Sequence, residues 1–437
     1  MSSKIAEPHY AKIPGFVKRT DADFSLMDLR RKSLDHLFKL DLAPPRPEKP
    51  SLVSSCVGRI ERILLTIPDY AARSMAAAYK SLLTQLPPYT YLVVATHEKA
   101  LPIVEKWLAD AKLTDRAEVF VIGDHLHFSV WAEDGYVVSK DQATGKTYFV
   151  EPFSFPRYGD GLIADFAAGA TDLESTQSPL YFQGGNVLIG DDFFFIGADY
   201  PANSIGYTAA SGHLLPPPGT NVADFIRGLY NDYLDHDRKL LYIASSIAVP
   251  EQSKRSTVIN GEQWTEYLYA GNKSGTVQPL FHIDMFVTLV GRAPNGKFRV
   301  LVGDPAMAAD VLNEKVSPYA MKEVFDNIAK GLGNAGFEVQ RNPLPLVYED
   351  DTAKKERFWY FATSNNCLVQ NSQSDGKIVW LPTYGYGHWK KLKATDAANK
   401  KIWEDLGFEV RQLDDFHPFA ANLGAVHCIK KYLKRGT

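Results

Sequence analysis

The chain has 437 residues, of which 45% are hydrophobic and 23% are charged, and its formal net charge at pH 7 is −3. Such a composition is ordinary for a globular protein that buries a sizeable core without disulfides to hold it together. The absence of a basic excess and of any apolar run of about 18 residues argues against nucleic acids and membranes as partners.

Three cysteines are present, Cys56, Cys367 and Cys428, and a set so sparse and odd in number does not make a disulfide framework. The first residues, MSSKIAEPHYAKIPGF, contain no apolar segment of the kind that a secretory signal carries. We therefore expect a reducing compartment, the cytoplasm, in which a thiol is either part of the core or catalytic.

Residues 1–52 are expected to form an N-terminal extension, because its last part, APPRPEKP, contains four prolines and is typical of a stiff connector. A single α/β domain is expected over 53–437. Its first elements alternate regularly: strand 57–68, helix 70–86, strand 89–96, helix 98–112 and strand 117–123. This alternation predicts the α/β class.

The later chain follows a different order. Hairpins are predicted over 187–197 and 365–382, and each is followed by a helix and then by another strand, 239–245 in the first case and 408–413 in the second. The recurring unit is thus strand, strand, helix, strand. Because the sequence itself does not repeat, we predict a pseudo-symmetric α/β assembly and not a simple repeat array.

Polar residues that could carry chemistry interrupt these apolar elements. The run 281–291, FHIDMFVTLVG, is predicted to be a strand on which His282 and Asp284 share one face, opposite a wholly apolar face. A solvent-facing strand edge explains this pattern as well as an active site does.

Two further places contain acidic residues and glycines. In WAED, Glu133 and Asp134 fit an acidic turn, whereas Trp131 could wall a site for a flat cation by stacking. In FQGGN, the glycine pair requires unusual dihedrals or a close backbone approach, and the residues of a phosphate loop are missing. Arg157, in FPRYGDG, is expected to be exposed.

The remaining places contain cysteines. Cys367 lies in the apolar run of a strand and is interpreted as core, while its neighbour Asn366 could face a site. Cys428 follows His427 near the C-terminus, and a lone cysteine is more often buried than reactive.

Taken in order, WAED, FQGGN, HID, NNCLVQN and GAVHC resemble the motifs of the guanidino-group-modifying enzyme superfamily, in particular its bacterial-type peptidyl-arginine deiminase and agmatine deiminase branch. The resemblance covers roughly residues 55–432. It implies a five-bladed α/β propeller of ββαβ modules, in agreement with the recurring unit, and it makes 53–437 the catalytic domain.

By position, the resemblance implies that Cys428 is the nucleophile, His282 the general acid and base, and Asp134 and Asp284 the carboxylates that bind the guanidinium. The candidate substrate-binding residues are these two carboxylates together with Trp131, Arg157, Gly185, Asn186 and Asn366.

Three neighbours depart from the family pattern. Gln183 stands where many relatives carry Glu, Glu133 where they often carry Arg, and Lys430 where agmatine deiminases usually carry Thr. These departures argue against a standard agmatine deiminase. They favour peptidyl-arginine slightly as the substrate and leave agmatine, free arginine or another guanidine open.

The residue types suit the implied reaction, in which a thiolate attacks a guanidinium carbon held by two carboxylates, and a histidine moves the protons. The products would be ammonia and a ureido group, citrulline in the case of arginine, with neither a metal nor another cofactor. The alternatives are an amidinotransferase, which passes the amidino group from arginine to an amine, and a silent binder of arginine-bearing partners. The expected partner is a guanidine-containing small molecule or peptide, and a homo-oligomer is left open.

Overall fold

A computed structural model describes residues 46–211 and 215–436, so the expected N-terminal extension falls almost wholly outside the described residues. The strands are β1 (Pro50–Leu52), β2 (Ile60–Ile67), β3 (Tyr91–His97), β4 (Ala117–Ile122), β5 (Val137–Asp141), β6 (Thr147–Glu151), β7 (Glu174–Gln177), β8 (Val187–Ile189), β9 (Phe193–Gly197), β10 (Lys239–Ile243), β11 (Ser253–Ile259), β12 (Glu262–Leu268), β13 (Val287–Arg292), β14 (Phe298–Asp304), β15 (Glu338–Pro343), β16 (Leu346–Asp351), β17 (Glu356–Phe361), β18 (Leu368–Ser372), β19 (Gly376–Thr383), β20 (Glu409–Asp415) and β21 (Lys430–Arg435).

The helices of the same residues are α1 (Asp69–Ser74), α2 (Ala76–Gln85), α3 (Leu101–Asp110), α4 (Ile163–Ala170), α5 (Asp199–Ser211), α6 (Val222–Tyr233), α7 (Pro305–Val311), α8 (Lys322–Asn334), α9 (Lys393–Asp405) and α10 (His417–Ala420). None of them is both long and apolar enough to cross a membrane.

The alternation predicted at the start of the domain is confirmed. Strands β2, β3 and β4 are parallel neighbours, with α1 and α2 after the first strand and α3 after the second. Consecutive residues of a strand point to opposite faces, and Leu64 and Leu65 are both fully buried. Their sheet is therefore covered on both sides, which explains the continuous apolar runs of its strands.

The predicted recurring unit is present in five of the six sheets formed by the described residues. In four of them an antiparallel pair is followed by helix and then by a strand parallel to the second one: β5–β6–β7, β8–β9–β10, β13–β14–β15 and β18–β19–β20. In the fifth, β21 near the C-terminus is the antiparallel partner of β2. The architecture is thus mixed α/β with several small sheets, whereas the closed ring of five blades stays a prediction.

The sixth sheet, in the order β11–β12–β17–β16, contains no such unit. It consists of two antiparallel hairpins joined by the parallel pair β12 and β17. Its two halves come from the segments before and after the β13–β14–β15 unit, so this sheet is an addition to the repeated pattern.

The last residues of the expected extension lie in a sheet. Strand β1 falls within the expected extension, yet it pairs antiparallel with β5. The backbone N–H of Leu52 also donates to the carboxylate of Asp235 at 2.8 Å. Residues 50–52 are therefore part of a sheet, residues 46–49 precede it, and residues 1–45 of the expected extension lie outside the described residues.

The prediction of one strand over 281–291 is wrong for its first half. Residues Ile283–Met285 form a single turn of 3-10 helix, and β13 begins only at Val287. The side-chain oxygen of Asn186 accepts a hydrogen bond from the backbone N–H of Ile283 at 2.9 Å. This bond satisfies a donor that a strand would have used in its ladder, so a side chain far away in sequence overrides the local alternation.

Candidate active site

The five sequence motifs occupy equivalent places in the five units. WAED precedes β5, GGN precedes β8, HID precedes β13, NNC precedes β18 and HC precedes β21, and in each case the strand that follows is the one that begins the antiparallel pair. The repeated fold therefore presents the candidate residues on five corresponding loops.

All four predicted catalytic side chains are buried. Cys428, His282 and Asp134 are 0% exposed, and Asp284 is 1% exposed. The apolar neighbours Ile283, Val426 and others belong to the largest hydrophobic cluster. A buried charged group is stable only when hydrogen-bond or ionic partners replace its hydration, and the partners of these side chains are described below.

The thiol of Cys428 lies between an amide and a carboxylate. The Asn366 Nδ2 atom is 2.9 Å from Sγ, and Asp284 Oδ2 is 3.6 Å from Sγ. The Asn366 side-chain oxygen accepts hydrogen bonds from the backbone N–H groups of Ala425 and Cys428, at 3.0 and 3.2 Å. Asn366 thus fixes both the sulfur and the backbone that carries it.

The carboxylate of Asp284 has a second partner that the sequence analysis missed. His427 Nδ1 lies 2.9 Å from the same Asp284 oxygen that faces the thiol. The position of His427 directly before Cys428, the predicted nucleophile, was the available clue. Because His427 contacts the same oxygen of Asp284 that approaches Cys428 Sγ, it helps to orient this carboxylate towards the thiol.

The expectation that His282 and Asp284 share the face of a strand is wrong, because residues Ile283–Met285 form a 3-10 turn; the contacts of His282 include Gln183 and Asp134. Its Nε2 atom is 2.9 Å from the side-chain oxygen of Gln183, and its Nδ1 atom is 3.6 Å from Asp134 Oδ1. Its ring also stacks on Phe281, with 4.2 Å between centroids. Because Gln183 is neutral, Asp134 supplies the negative charge in these contacts.

The expected exposure of Arg157 is wrong, since only 6% of this residue is exposed. Its Nη2 atom donates to Asp134 Oδ2 at 2.7 Å, and its Nε atom donates to Asp160. Burial alone would lower the pKa of Arg157, but Asp160 and Asp134 raise it above its ordinary value. Arg157 is therefore a fixed cation that orients Asp134 and leaves the other oxygen of that carboxylate facing His282.

The departures at 133 and 430 from the family pattern compensate each other. Glu133 accepts bonds from the ammonium groups of Lys430 and Lys431, each at 2.9 Å, and all three residues are buried. Burial lowers the pKa of Lys430 to about 8, although Glu133 opposes the shift. The pKa of Glu133, which burial would raise, is held below its usual value by the two lysines.

This group, called here the Glu133–lysine cluster, also contacts the backbone of Cys428. The backbone N–H of Glu133 donates to the carbonyl of Cys428 at 3.1 Å. A Cβ atom at Gly184 would lie 1.8 Å from the carbonyl oxygen of Glu133 and 2.5 Å from Lys431 Nζ, so only glycine fits there. The glycine motif thus provides close backbone approach, with Gly185 following in the same 3-10 turn, Gly184–Asn186.

Trp131 and Asn186, two of the candidate substrate-binding residues, contact other site segments. A Cβ atom at Gly424 would lie 2.2 Å from the ring of Trp131, so this ring packs on the backbone that leads to Cys428. Asn186 holds the turn that carries Asp284, as described above. Both residues position the site.

The charges of this network nearly balance. Four carboxylates and three cations are connected by the contacts above: Asp134, Asp160, Asp284, Glu133, Arg157, Lys430 and Lys431. Without counting the imidazoles of His282 and His427, these groups sum to one net negative charge. A buried site with this balance suits a ligand with a single positive charge.

No cluster of three or more His, Cys, Asp or Glu side chains between residues 46 and 436, apart from the undescribed 212–214, is placed to hold a metal ion. Independence from metals stays a prediction.

No family model and no curated protein matches the sequence. Solved structures do match. An X-ray structure of a candidate agmatine deiminase has a TM-score of 0.57 at 13% identity, over 89% of this chain and 98% of that one. The agmatine deiminase of C. jejuni has a TM-score of 0.55 at 11% identity, over 88% of this chain and 96% of that one. The chain therefore shares its fold with these two structures.

Proposed function

We propose that the protein is a cysteine-dependent guanidine deiminase, a hydrolase that converts the guanidinium of an arginine-type substrate to a ureido group and ammonia. The observation that carries this proposal is the thiol of Cys428 held by Asn366 beside the Asp284 carboxylate, with a second carboxylate, Asp134, beside His282. The shared fold with agmatine deiminases supports a C–N hydrolase of this kind.

In the proposed complex, the guanidinium lies between Asp134 and Asp284. The N–H groups on the edges of this planar cation can donate paired hydrogen bonds to the two carboxylates, while its central carbon stays open to attack from one face. The substrate's charge compensates the net negative charge of the site. It also offsets the repulsion between the Asp284 carboxylate, 3.6 Å from Sγ, and a negatively charged sulfur.

The first half of the reaction transfers the thiol proton of Cys428 to His282 and joins sulfur to the guanidinium carbon. The imidazolium then gives that proton to one terminal nitrogen, the C–N bond breaks and ammonia leaves, so that a thiouronium intermediate remains on Cys428. In the second half, His282 takes a proton from water, and the water oxygen attacks the same carbon. As the C–S bond breaks, the hydroxyl of the adduct loses its proton to the departing sulfur and becomes the carbonyl of the ureido product. The proton held by His282 is then released and accounts for the ammonium ion that ammonia forms in water.

We propose arginine within a peptide as the substrate, with a slight preference over agmatine and free arginine. The departures at Gln183 and Lys430 support this order, because they alter the neighbours of the catalytic residues relative to agmatine deiminases. The burial of Cys428 means that a flexible arginine side chain, and not a backbone, would have to reach the sulfur.

The second candidate function is an amidinotransferase, which forms a thiol adduct and then passes the amidino group to an amine. The test is an assay of ureido product and of ammonia with agmatine, free arginine and arginine peptides with free and blocked ends, without any added amine. Ureido product under these conditions supports the deiminase. Turnover that requires an added amine would favour the transferase, and no turnover of any guanidine would overturn both.

A further inference from the structure

A second buried acid, Asp160, lies beside the candidate active site, in the segment FPRYGDG that also carries Arg157. Arg157 bonds two acids at once: its Nη2 atom donates to Asp134 at 2.7 Å, and its Nε atom donates to Asp160. No more than 6% of any of these three residues is exposed. They are called here the Asp134–Arg157–Asp160 triad, and their two carboxylates and one guanidinium sum to one net negative charge.

Asp160 is held in place independently of Arg157. Its two carboxylate oxygens accept hydrogen bonds from the backbone N–H and the hydroxyl of Ser129, at 2.6 and 2.5 Å. A Cβ atom at Gly135, the residue after Asp134, would lie 2.9 Å from the carbonyl oxygen of Asp160, so glycine allows the two acid-bearing loops to approach closely. The structure therefore fixes Asp160 close to Asp134, with Arg157 bonded between them.

Asp160 matters for the site because Arg157 carries a charge of the same sign as the proposed substrate. A guanidinium fixed against Asp134 cancels much of the attraction that this carboxylate exerts on a second cation. Asp160 offsets the charge of Arg157, so that the triad as a whole still attracts a cation. Water screens such effects at a protein surface, whereas a buried site preserves them over several ångströms.

We propose that Asp160 is a positioning residue that acts through Arg157, and that its charge gives the site a preference for a cationic guanidine over the neutral ureido product. The inference rests on the proposed function, since it takes Asp134 as a carboxylate that faces the guanidinium. Deimination removes the positive charge of the head group, so the same preference helps the ureido product to leave after each turnover.

The substitution Asp160→Asn tests this role, because the amide has the shape of the carboxylate and keeps an oxygen for the backbone N–H of Ser129 but lacks the charge. Calorimetry in the Cys428→Ala background measures binding without turnover. The ligands are arginine with both ends blocked, agmatine and the ureido counterpart of each, so that the members of a pair differ in the charge of the head group. We expect Asp160→Asn to weaken guanidine binding about 10- to 100-fold and to change ureido binding less than about twofold.

The substitution Asp235→Asn is the matched control. Asp235 is 1% exposed, is paired with Arg238 three positions along the chain, and accepts a hydrogen bond from the backbone N–H of Leu52 at 2.8 Å. It thus repeats the kinds of contact that Asp160 makes, but its partners belong to β1 and to the segment between α6 and β10. We expect Asp235→Asn to lower the midpoint of thermal unfolding, while guanidine affinity changes less than about twofold at a temperature where the variant is folded.

An unchanged guanidine affinity in Asp160→Asn, or an equal loss of guanidine and ureido binding, would overturn this role of Asp160. Turnover by the unmodified protein separates the two proposals. If guanidines are hydrolysed but Asp160→Asn keeps their affinity, the deiminase stands and the role of Asp160 fails. If Asp160→Asn loses guanidine affinity selectively but no guanidine is hydrolysed, the role of Asp160 stands and the deiminase fails. If neither guanidine binds to Cys428→Ala, both proposals fail.

Discussion

Two buried cysteines flank Asn366, and their surroundings differ. Cys428 is 0% exposed and contacts the Asn366 amide and the Asp284 carboxylate, whereas Cys367, 2% exposed, directly follows Asn366 and packs in the hydrophobic cluster at the start of β18. Burial raises the pKa of the Cys367 thiol well above its usual range. The comparison shows that burial does not mark a cysteine as inert; what distinguishes Cys428 is the set of polar groups held against its sulfur.

The largest expected difference is between alanine variants of these two cysteines. Cys428→Ala should lower kcat for ureido product by at least about 1,000-fold, because the nucleophile is lost, while guanidine binding persists. Cys367→Ala should keep activity close to that of the unmodified protein at a temperature where both are folded. Ureido product from Cys428→Ala at an undiminished rate would remove Cys428 from the mechanism.

The two carboxylates should differ from each other. Asp284→Asn and Asp134→Asn should each lower kcat/KM by about 100-fold or more, since each removes a charge that faces the guanidinium. Asp134→Asn should in addition lower the free energy of unfolding by about 2 kcal/mol, because Arg157 then keeps only one buried carboxylate.

Steady-state kinetics measures the fall in kcat/KM for the two variants, and thermal unfolding measures the change in their stability. If Asp284→Asn destabilised the fold as much as Asp134→Asn does, the assignment of Arg157 as the partner that orients Asp134 specifically would be wrong.

A smaller effect is expected at Asn366. Asn366→Ala removes the amide that bonds both Sγ and the backbone N–H groups of Ala425 and Cys428. We expect kcat to fall about 10- to 100-fold with little change in KM, because the thiol is misplaced while the carboxylates remain. Steady-state kinetics checks this split, and a change confined to KM would contradict it.

Substitution of Lys430 is expected to have the smallest effect on activity. It should instead change how the stability of the fold depends on pH. The pKa of Lys430 is about 8 in the folded chain, and an unfolded lysine titrates near about 10.4. Between these pH values the unfolded chain binds more protons, so this lysine makes stability rise with pH, by up to about 3 kcal/mol across the window.

Lys430→Met should remove that rise, because methionine does not titrate. The variant should still fold, because Glu133 keeps Lys431 as its partner. Lys434→Met, on the same strand at a side chain that is 70% exposed, is the matched control and should keep it. Thermal unfolding at pH 7.5 and pH 10 measures the difference. Identical pH profiles for the two variants would count against the burial of a charged Lys430.

Much of the fold follows from local pattern. The alternation of β2 to β4 and the hairpins at β8–β9 and β18–β19 were predictable because the side chains that define them are neighbours in sequence. The motifs were also recognisable one by one. Their common position, directly before the first strand of each unit, became clear only once the pairing of the strands was known.

The contacts within the site could not be predicted in the same way, since they join distant segments. Asn186, which accepts the backbone hydrogen bond that keeps Ile283 out of a strand, lies 97 positions from Ile283. Asp284 lies 143 positions from its partner His427. Arg157 was expected to be exposed because a local pattern cannot show that Asp134 and Asp160 bury it. The departure at Lys430 had no explanation from the sequence, because Glu133, the partner that it shares with Lys431, lies almost 300 positions away in the chain.

The central claim, that Cys428 forms a covalent intermediate that retains the substrate's substituent, can be measured directly. Turnover is stopped with acid, the protein is digested and the cysteine peptides are weighed by mass spectrometry. We predict an adduct on the Cys428 peptide with the mass of the guanidine minus ammonia, and none on the Cys367 peptide. An adduct of the amidino group alone would indicate a transferase, and turnover without any adduct on Cys428 would contradict the account.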